Sequence, residues 1–181
     1  MRRSRLEKVA LRLVAAAGPA DVVIVGGLAV ALHGYVRATD DVDLLFKGPL
    51  PDAQKRLAAK GITTRLFRGD PSGGDFPCLK GVLDGIRFDV LPQLAPVDWD
   101  GAPEIKVRGV TLRIVDLRGL LALKLRAQGP QHLLDAAALV LLHPEVEPVA
   151  RHLATAYRVE DRLKKLLDDP RLRAQIAGGR G

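Results

Sequence analysis

The stretch "VIVGGLAVALHGYVRATDDVDLLF", from Val23 to Phe46, contains the features that decide the fold. Its β-branched beginning predicts a buried strand over 21–25. Gly26 and Gly27 end that strand, and a short helix is predicted after them. A second buried strand is predicted over 42–47, with carboxylates at its entrance.

Two of these carboxylates share one side of the second strand. Side chains alternate across a strand, so Asp41 and Asp43 point one way while Val42 points into the core. The rise of a strand separates the two aspartates by about 7 Å. Such a pair is repulsive unless a positive charge relieves it, and Mg²⁺ prefers oxygen ligands. The spacing therefore predicts a site for a hard cation.

A third carboxylate occurs in a predicted β-hairpin over 78–92, "CLKGVLDGIRFDVLP", whose turn is Asp84-Gly85. Alternation places Asp89 on the side opposite to Phe88. If this strand lies beside the strand of Asp41 and Asp43, three carboxylates come together. Three carboxylates on neighbouring strands can hold two Mg²⁺ ions, which clamp a triphosphate and activate an attacking hydroxyl.

The rest of the chain divides into a mixed β/α half, 1–116, and a helical half, 117–181. Further helices are predicted over 5–17, 52–61, 117–128, 131–143, 146–157 and 159–168, a strand over 63–67, a loop over 69–75 and a hairpin over 105–115 around Arg108-Gly109. The tail 170–181 is predicted to be frayed. This order indicates an α+β domain with a helical C-terminal part.

The composition narrows the class of protein. The chain has 181 residues, is 48% hydrophobic and carries a net charge of +7 with a pI near 9.9. It is neither fibrous nor disordered by composition, and its basic charge favours phosphate-rich partners. Cys78 is the single cysteine, which excludes an internal disulfide and favours the cytoplasm. No stretch reaches the ~20 apolar residues of a membrane span, so no membrane partner is expected.

The central motif resembles that of the nucleotidyltransferase superfamily, which includes DNA polymerase beta. Gly26, Gly27, Asp41, Asp43 and Asp89 match its signature of two small residues, a short helix, an Asp-hydrophobic-Asp pair and a third Asp. The resemblance implies the nucleotidyltransferase fold, a mixed twisted β-sheet flanked by helices.

The finer pattern is similar to the AbiEii-like branch, which includes the MenT toxins. The positions that carry this likeness are His33, Arg37, Thr39, Lys124, Ala127, Asp135 and Leu139. Many relatives have Arg-Asp or Arg-Lys where this chain has Gln131 and His132, so the helical part of the motif is only partly kept. The likeness implies that Arg37, Thr39 and Lys124 bind nucleotide and that Lys124 is also catalytic. It leaves the roles of His33 and Asp135 open.

The resemblance also implies an activity, the transfer of a nucleoside monophosphate from an NTP to an acceptor hydroxyl with release of pyrophosphate. Asp41 and Asp43 would bind metal, and Asp89 would bind the second metal and activate the hydroxyl. Gly26 and Gly27 would hold the β- and γ-phosphates. Two Mg²⁺ ions are expected, or Mn²⁺ in their place.

The acceptor is not determined by the motif. An RNA acceptor such as tRNA is favoured by the basic charge, and implies a toxin with an antitoxin protein as partner. Two other acceptors compete with RNA: a small molecule of the antibiotic type and a protein. A further interpretation is that the chain is a catalytically inactive binding module of the same fold. Simpler interpretations of single residues also stay open: Gly26 and Gly27 as a tight turn, Arg37 as a surface charge and Lys124 as a lysine that reaches solvent.

Overall fold

The computed structural model describes residues 2–69, 76–94, 97–107 and 109–178. The α-helices are α1 (Arg2–Ala17), α2 (Gly26–Leu32), α3 (Leu50–Ala58), α4 (Leu117–Ala127), α5 (Pro130–Leu142), α6 (Glu147–Ala156), α7 (Glu160–Leu167) and α8 (Pro170–Gly178). The strands are β1 (Val22–Val25), β2 (Asp41–Phe46), β3 (Thr64–Phe67), β4 (Cys78–Leu83), β5 (Ile86–Pro92), β6 (Glu104–Val107) and β7 (Val110–Arg113). The loop predicted over 69–75, except Gly69, and the turn residue Arg108 lie outside the described residues.

Five strands form one mixed sheet in the order β1-β2-β5-β4-β3. Strands β2 and β5 are parallel, and the other neighbours are antiparallel. Strands β6 and β7 form a separate antiparallel pair. The mixed sheet with flanking helices confirms the predicted α+β class.

The β4–β5 hairpin follows from its turn residues. Asp84 and Gly85 both have positive φ, 53° and 73°, as a two-residue hairpin turn of type I′ requires. Aspartate tolerates this conformation and glycine adopts it without steric cost. The turn sets a register in which Leu83 lies opposite Ile86, and every later pair follows from it.

The chain forms two compact units. The first contains residues 1–29 and 38–116, and the second contains residues 30–37 and 117–181. In the first unit, one side of the sheet is apolar and buried through Val42, Leu44, Leu79, Phe88 and Val90. Helix α3 lies against the sheet, since the Arg56 guanidinium is 5.3 Å from the centre of the Phe46 ring. The side opposite to Val42 and Phe88 carries Asp41, Asp43 and Asp89.

The second unit is helical and is organised around α5, which contacts α4, α7 and α8. Its core includes Leu133, Ala136, Ala137 and Val140 of α5, which are buried. Small residues along α5 allow neighbouring helices to approach closely.

The predicted fraying of the tail is wrong for residues 170–178, and residues 179–181 lie outside the described residues. Residues 170–178 form α8, in which Leu172 and Ile176 are buried. These two side chains are four residues apart and share one face of the helix. The Asp169 carboxylate accepts a hydrogen bond from the Arg171 backbone N–H at 2.8 Å, which stabilises the start of the helix.

No helix within the described residues is long and apolar enough to cross a membrane.

Candidate active site

The three predicted carboxylates lie on two adjacent strands of the first unit. Strands β2 and β5 are paired so that Asp43 is directly opposite Asp89 and Asp41 is opposite Arg87. Side chains of directly paired residues project from the same side of a sheet. Asp41, Asp43 and Asp89 are partly exposed, while the alternate residues Val42 and Phe88 are fully buried. The structure therefore brings the three aspartates to one open side of the sheet.

Gly26 lies against the carboxylate of Asp43. Its φ is +66°, and a Cβ at this position would be 1.8 Å from Oδ2 of Asp43. This proximity arises because Val25 is paired with Asp43, so the next residue turns across that side chain. Helix α2 begins at Gly26 itself, so both glycines belong to the helix that was predicted to follow them. Gly26 is thus required both by its backbone conformation and by the close approach of Asp43.

Thr39 holds Asp41. Its Oγ1 donates a hydrogen bond to Oδ1 of Asp41 at 3.1 Å. Because Thr39 precedes the strand by two residues, this contact is local and fixes the side chain at the strand entrance. The structure thus gives Thr39 a positioning contact, and its predicted contact with nucleotide stays a prediction.

Lys80 of β4 is a member of the site that was missed from the sequence. It is paired with Asp89 across the β4–β5 hairpin, and its Nζ is 3.0 Å from Oδ2 of Asp89. The hydrogen bond to Asp89 raises the pKa of Lys80, partial burial opposes this, and the charges of Asp89 and Asp43 add to the rise. Counting outward from the Asp84-Gly85 turn would have identified this pair. The lysine supplies positive charge beside two carboxylates that would otherwise only repel.

An open cleft of about 420 Å³ lies here, and its walls include Asp41, Lys80, Val82, Arg87 and Asp89. Within the described ranges, no three acidic, histidine or cysteine side chains are close enough together to hold a metal ion. The donors nevertheless suit a divalent cation in kind. They are all carboxylate oxygens, they project from one side of the sheet, and the Asp43 carboxylate occupies the space that a Cβ at Gly26 would need.

The second unit contains its own cluster of charged side chains around Asp135, which is 0% exposed. Arg37 binds it in a bidentate manner, with Nε 2.6 Å from Oδ1 and Nη2 2.7 Å from Oδ2. Lys124, only 4% exposed, donates to Oδ2 at 2.7 Å, and Gln131 donates to Oδ1 at 3.0 Å. Buried charges are tolerated when they are paired and hydrogen-bonded in this way. Lys124 therefore does not reach solvent, and Asp135 joins Arg37 to Lys124.

The cluster perturbs two titrating groups. Burial would raise the pKa of Asp135, but the hydrogen bonds from Arg37 and the charge of Lys124 outweigh it and hold that pKa below its usual range. Partial burial and then the charge of Lys124 lower the pKa of His132, against the opposing effect of Asp135. His132 is therefore neutral near pH 7.

His33 belongs to the same helical unit. Its backbone carbonyl accepts a hydrogen bond from Nε2 of His143 at 2.8 Å, and the two rings meet edge to face at 6.5 Å. This contact joins the chain after α2 to the end of α5. The structure gives His33 a packing contact within its unit.

Comparisons with known proteins were made for the sequence and for the fold. No family model and no curated protein sequence matches the chain. Thirteen solved chains match its fold. ANT(2")-Ia in complex with adenylyl-2"-tobramycin has a TM-score of 0.57 and 16% identity, over 84% of this chain and 96% of that chain.

Two further structures give similar values. A nucleotidyltransferase-like antigenic protein from Paracoccidioides brasiliensis has a TM-score of 0.53 and 18% identity, over 91% of each chain. A candidate nucleotidyltransferase from Thermotoga maritima has a TM-score of 0.55 and 16% identity, over 70% of this chain and 87% of that chain. At such identities the likeness concerns the fold, and the AbiEii-like branch stays a prediction. The chain has the nucleotidyltransferase fold, as the Gly-Gly and Asp-Val-Asp motif predicted.

Proposed function

We propose that this protein is a metal-dependent nucleotidyltransferase that moves a nucleoside monophosphate from an NTP to an acceptor hydroxyl. The observation that carries the proposal is the pairing of Asp43 with Asp89 on the open side of the sheet, with Gly26 against Asp43. The nucleotidyltransferase fold supports it, because the predicted motif lies on adjacent strands of a mixed sheet. Fold alone does not specify chemistry, which depends on the side chains at the site.

The residues of the first unit have distinct roles in this proposal. Asp41 and Asp43 hold Mg²⁺, or Mn²⁺ in its place, with two ions expected and Asp89 completing the second site. Bound there, the metal supplies charge neutralisation for the triphosphate. Thr39 keeps Asp41 oriented, and Gly26 and Gly27 hold the β- and γ-phosphates, as the resemblance implies.

In the proposed reaction, Asp89 accepts the proton of the attacking hydroxyl. The acceptor oxygen forms a bond to the α-phosphorus, and the bond from the α-phosphorus to the bridging oxygen breaks. Pyrophosphate leaves with that electron pair, and the proton of the hydroxyl passes to the Asp89 carboxylate. Lys80 holds one oxygen of Asp89 and so sets the direction of that carboxylate.

Arg37 and Lys124 act on the nucleotide in this proposal, as the resemblance implies, with Lys124 also serving catalysis. Asp135 is their positioning residue, because its two oxygens receive hydrogen bonds from both. The Arg37 guanidinium is partly exposed and is suited to orient a phosphate group, whereas the Lys124 ammonium is buried on Asp135 and would have to become exposed to contact one.

RNA is the acceptor we favour, with a tRNA end as the specific case and a toxin paired with an antitoxin as the biological setting. The net charge of +7 supports a polyanionic acceptor. A small molecule of the antibiotic type is the second candidate, since ANT(2")-Ia shares the fold over 96% of its own length. A protein acceptor is the third candidate. The alternative to an enzyme is a binding module that has the same fold and no catalytic activity.

The test is transfer of label from each α-labelled NTP, with Mg²⁺, onto total tRNA. We expect Asp43→Asn to reduce transfer by orders of magnitude, because a metal ligand is lost. Asp40→Asn is the matched control. It removes the same charge three residues before Asp43, at a position expected to face away from Asp41 and Asp43.

Three outcomes separate the candidates. Label on RNA that depends on Asp43 supports the proposal with RNA as acceptor. NTP binding without label on RNA contradicts the RNA acceptor and directs the search to small molecules and proteins. Absence of both NTP binding and transfer contradicts the enzyme and leaves the inactive module.

A further inference from the structure

Strand register continues the open side of the sheet beyond the carboxylates. Asp43 is paired with Asp89, Asp89 with Lys80, and Lys80 with Arg65 of β3. All four side chains therefore project from the same side and form one row across four strands. With neighbouring strands about 4.8 Å apart, the row extends about 14 Å from Asp43. It changes from negative to positive along its length.

Apolar side chains lie beside the cations of this row. Phe67 is two residues from Arg65 and shares its side of β3, and Val82 is two residues from Lys80 on β4. Phe67 is 42% exposed and Val82 is 62% exposed. Phe67 is paired with Cys78, two residues before Lys80, and Val82 is two residues after it, so an exposed ring and an exposed aliphatic side chain flank this lysine. We name Arg65, Phe67, Lys80, Val82 and Arg87 the cationic strip.

The cations of the strip are available for a ligand in two different ways. Lys80 lies between the catalytic carboxylate and the aromatic ring, with Nζ 3.0 Å from Asp89 and 5.3 Å from the centre of the Phe67 ring. Arg65 and Arg87 are exposed and form no ion pair with any carboxylate of the described residues. The strip therefore combines two open guanidinium groups with an aromatic surface, next to Asp89.

We propose that the cationic strip binds the acceptor as a single-stranded RNA segment whose terminal hydroxyl lies at Asp89. The inference rests on the proposed function, because it assigns the acceptor to the same site. Phosphates match Arg65, Lys80 and Arg87, and an unpaired base can stack on Phe67. A duplex buries its base faces in its own stack, so an exposed aromatic side chain selects single strands.

The charge of the strip also separates RNA from the small-molecule candidate. Lys80 is neutralised by Asp89, so the difference comes from Arg65 and Arg87: these two guanidinium groups attract a phosphodiester chain and repel an acceptor that carries several amines. Phe67 lies at the far end of the row from Asp43, so the aromatic contact favours a ligand long enough to extend along the sheet.

The experiment measures binding of a fluorescein-labelled single-stranded RNA oligonucleotide by fluorescence anisotropy, with no NTP and no metal. The variants are Phe67→Leu, Phe67→Tyr and the double variant Arg65→Gln with Arg87→Gln. Leu66→Ala is the control for the aromatic contact, since Leu66 is exposed on the same strand but faces the other way. Lys60→Gln, an exposed lysine after α3, is the control for loss of charge.

Phe67→Leu should weaken RNA binding about tenfold, and Phe67→Tyr should restore most of it, because the base loses and regains its stacking partner. The double arginine variant should flatten the slope of log affinity against log salt by about 1.4, the loss of two phosphate contacts on a single strand. Both controls should bind as the unaltered chain does. Binding of Mg²⁺ and NTP, measured by calorimetry, should be unchanged in the Phe67 variants, and urea unfolding shows that the double arginine variant is folded.

The outcomes distinguish this inference from the proposed function. If the strip variants do not change RNA affinity, RNA does not bind at the cationic strip. Transfer of label to RNA would still support the proposed nucleotidyltransferase activity. RNA that fails to bind the unaltered chain, with NTP still bound, also overturns the strip and leaves the enzyme with another acceptor. A chain that binds neither NTP nor RNA overturns both.

Discussion

At the scale of the residue, the candidate site depends on Gly26. A positive φ favours glycine by about 1–2 kcal/mol over other residues. Gly26 has a second constraint, since any Cβ would overlap the Asp43 carboxylate. Gly61 shares the positive φ, +72°, but a Cβ added there would meet no atom within 4 Å. Substitution of Gly61 would therefore introduce backbone strain alone, whereas substitution of Gly26 would introduce strain and also displace Asp43.

We predict that Gly26→Ala and Gly61→Ala each lower the free energy of unfolding by about 1 kcal/mol or more through strain. Only Gly26→Ala should also abolish binding of Mg²⁺ and NTP, because its methyl group displaces Asp43. Urea unfolding and isothermal titration measure the two effects. Equal binding by the two variants would show that the close approach to Asp43 is not needed.

At the scale of the element, α4 and α5 are joined by the buried ion pair of Lys124 with Asp135. A buried pair adds little net stability compared with apolar packing, but removal of one partner is costly because the other charge is left buried. Two cations depend on Asp135, so its loss affects both α4 and the segment of Arg37. By contrast, the exposed pair of Arg151 with Glu147 on α6 contributes little.

We predict that Asp135→Asn lowers the free energy of unfolding by about 3 kcal/mol at neutral pH, whereas Glu147→Gln changes it by at most about 0.5 kcal/mol. The pKa of Asp135 is lower in the folded than in the unfolded chain, so its contribution is complete above the ordinary value of 3.8 and is lost as the pH falls below it. The difference between the unaltered chain and Asp135→Asn should therefore narrow in acid. Urea unfolding across this pH range measures it, and a constant difference would contradict the pairing.

At the scale of the whole molecule, basic charge is the property most relevant to the acceptor. The net charge of +7 steers polyanions to the surface without specifying where they bind. The slope of affinity against salt counts the phosphates that are contacted. A small slope would therefore indicate that RNA binds only at the cationic strip, and a large slope that it binds over a broader basic surface.

We predict a slope of log affinity against log salt of about −2 for single-stranded RNA on the unaltered chain, since the strip offers three cations. Raising the salt from about 50 to about 200 mM should then weaken binding roughly twentyfold. Anisotropy titrations at several salt concentrations give this slope. A slope near zero would exclude binding through phosphates, and NTP binding measured in parallel shows that the protein is intact.

Much of the fold follows from local signals in the sequence. The Asp84-Gly85 turn predicted its hairpin, because two adjacent residues with positive φ are a property of the turn itself. The alternation around Val42 predicted which aspartates share a side, because the period of a strand is two. The tail was misjudged, since Leu172 and Ile176 form a helical face only when α5 and α7 are there to cover it.

The sequence by itself therefore determined the fold class, the order of strands and helices up to α7, and the candidate carboxylates, all of which depend on neighbours in the chain. Only the tertiary structure decided that Gly26 lies against Asp43. It also decided that Asp135 binds both Arg37, which is 98 residues away in the chain, and Lys124, which is 11 residues away. It likewise placed Lys80 beside Asp89 and Phe67. Charges and rings act through space over a few ångströms, so their partners are set by which faces meet when the chain folds.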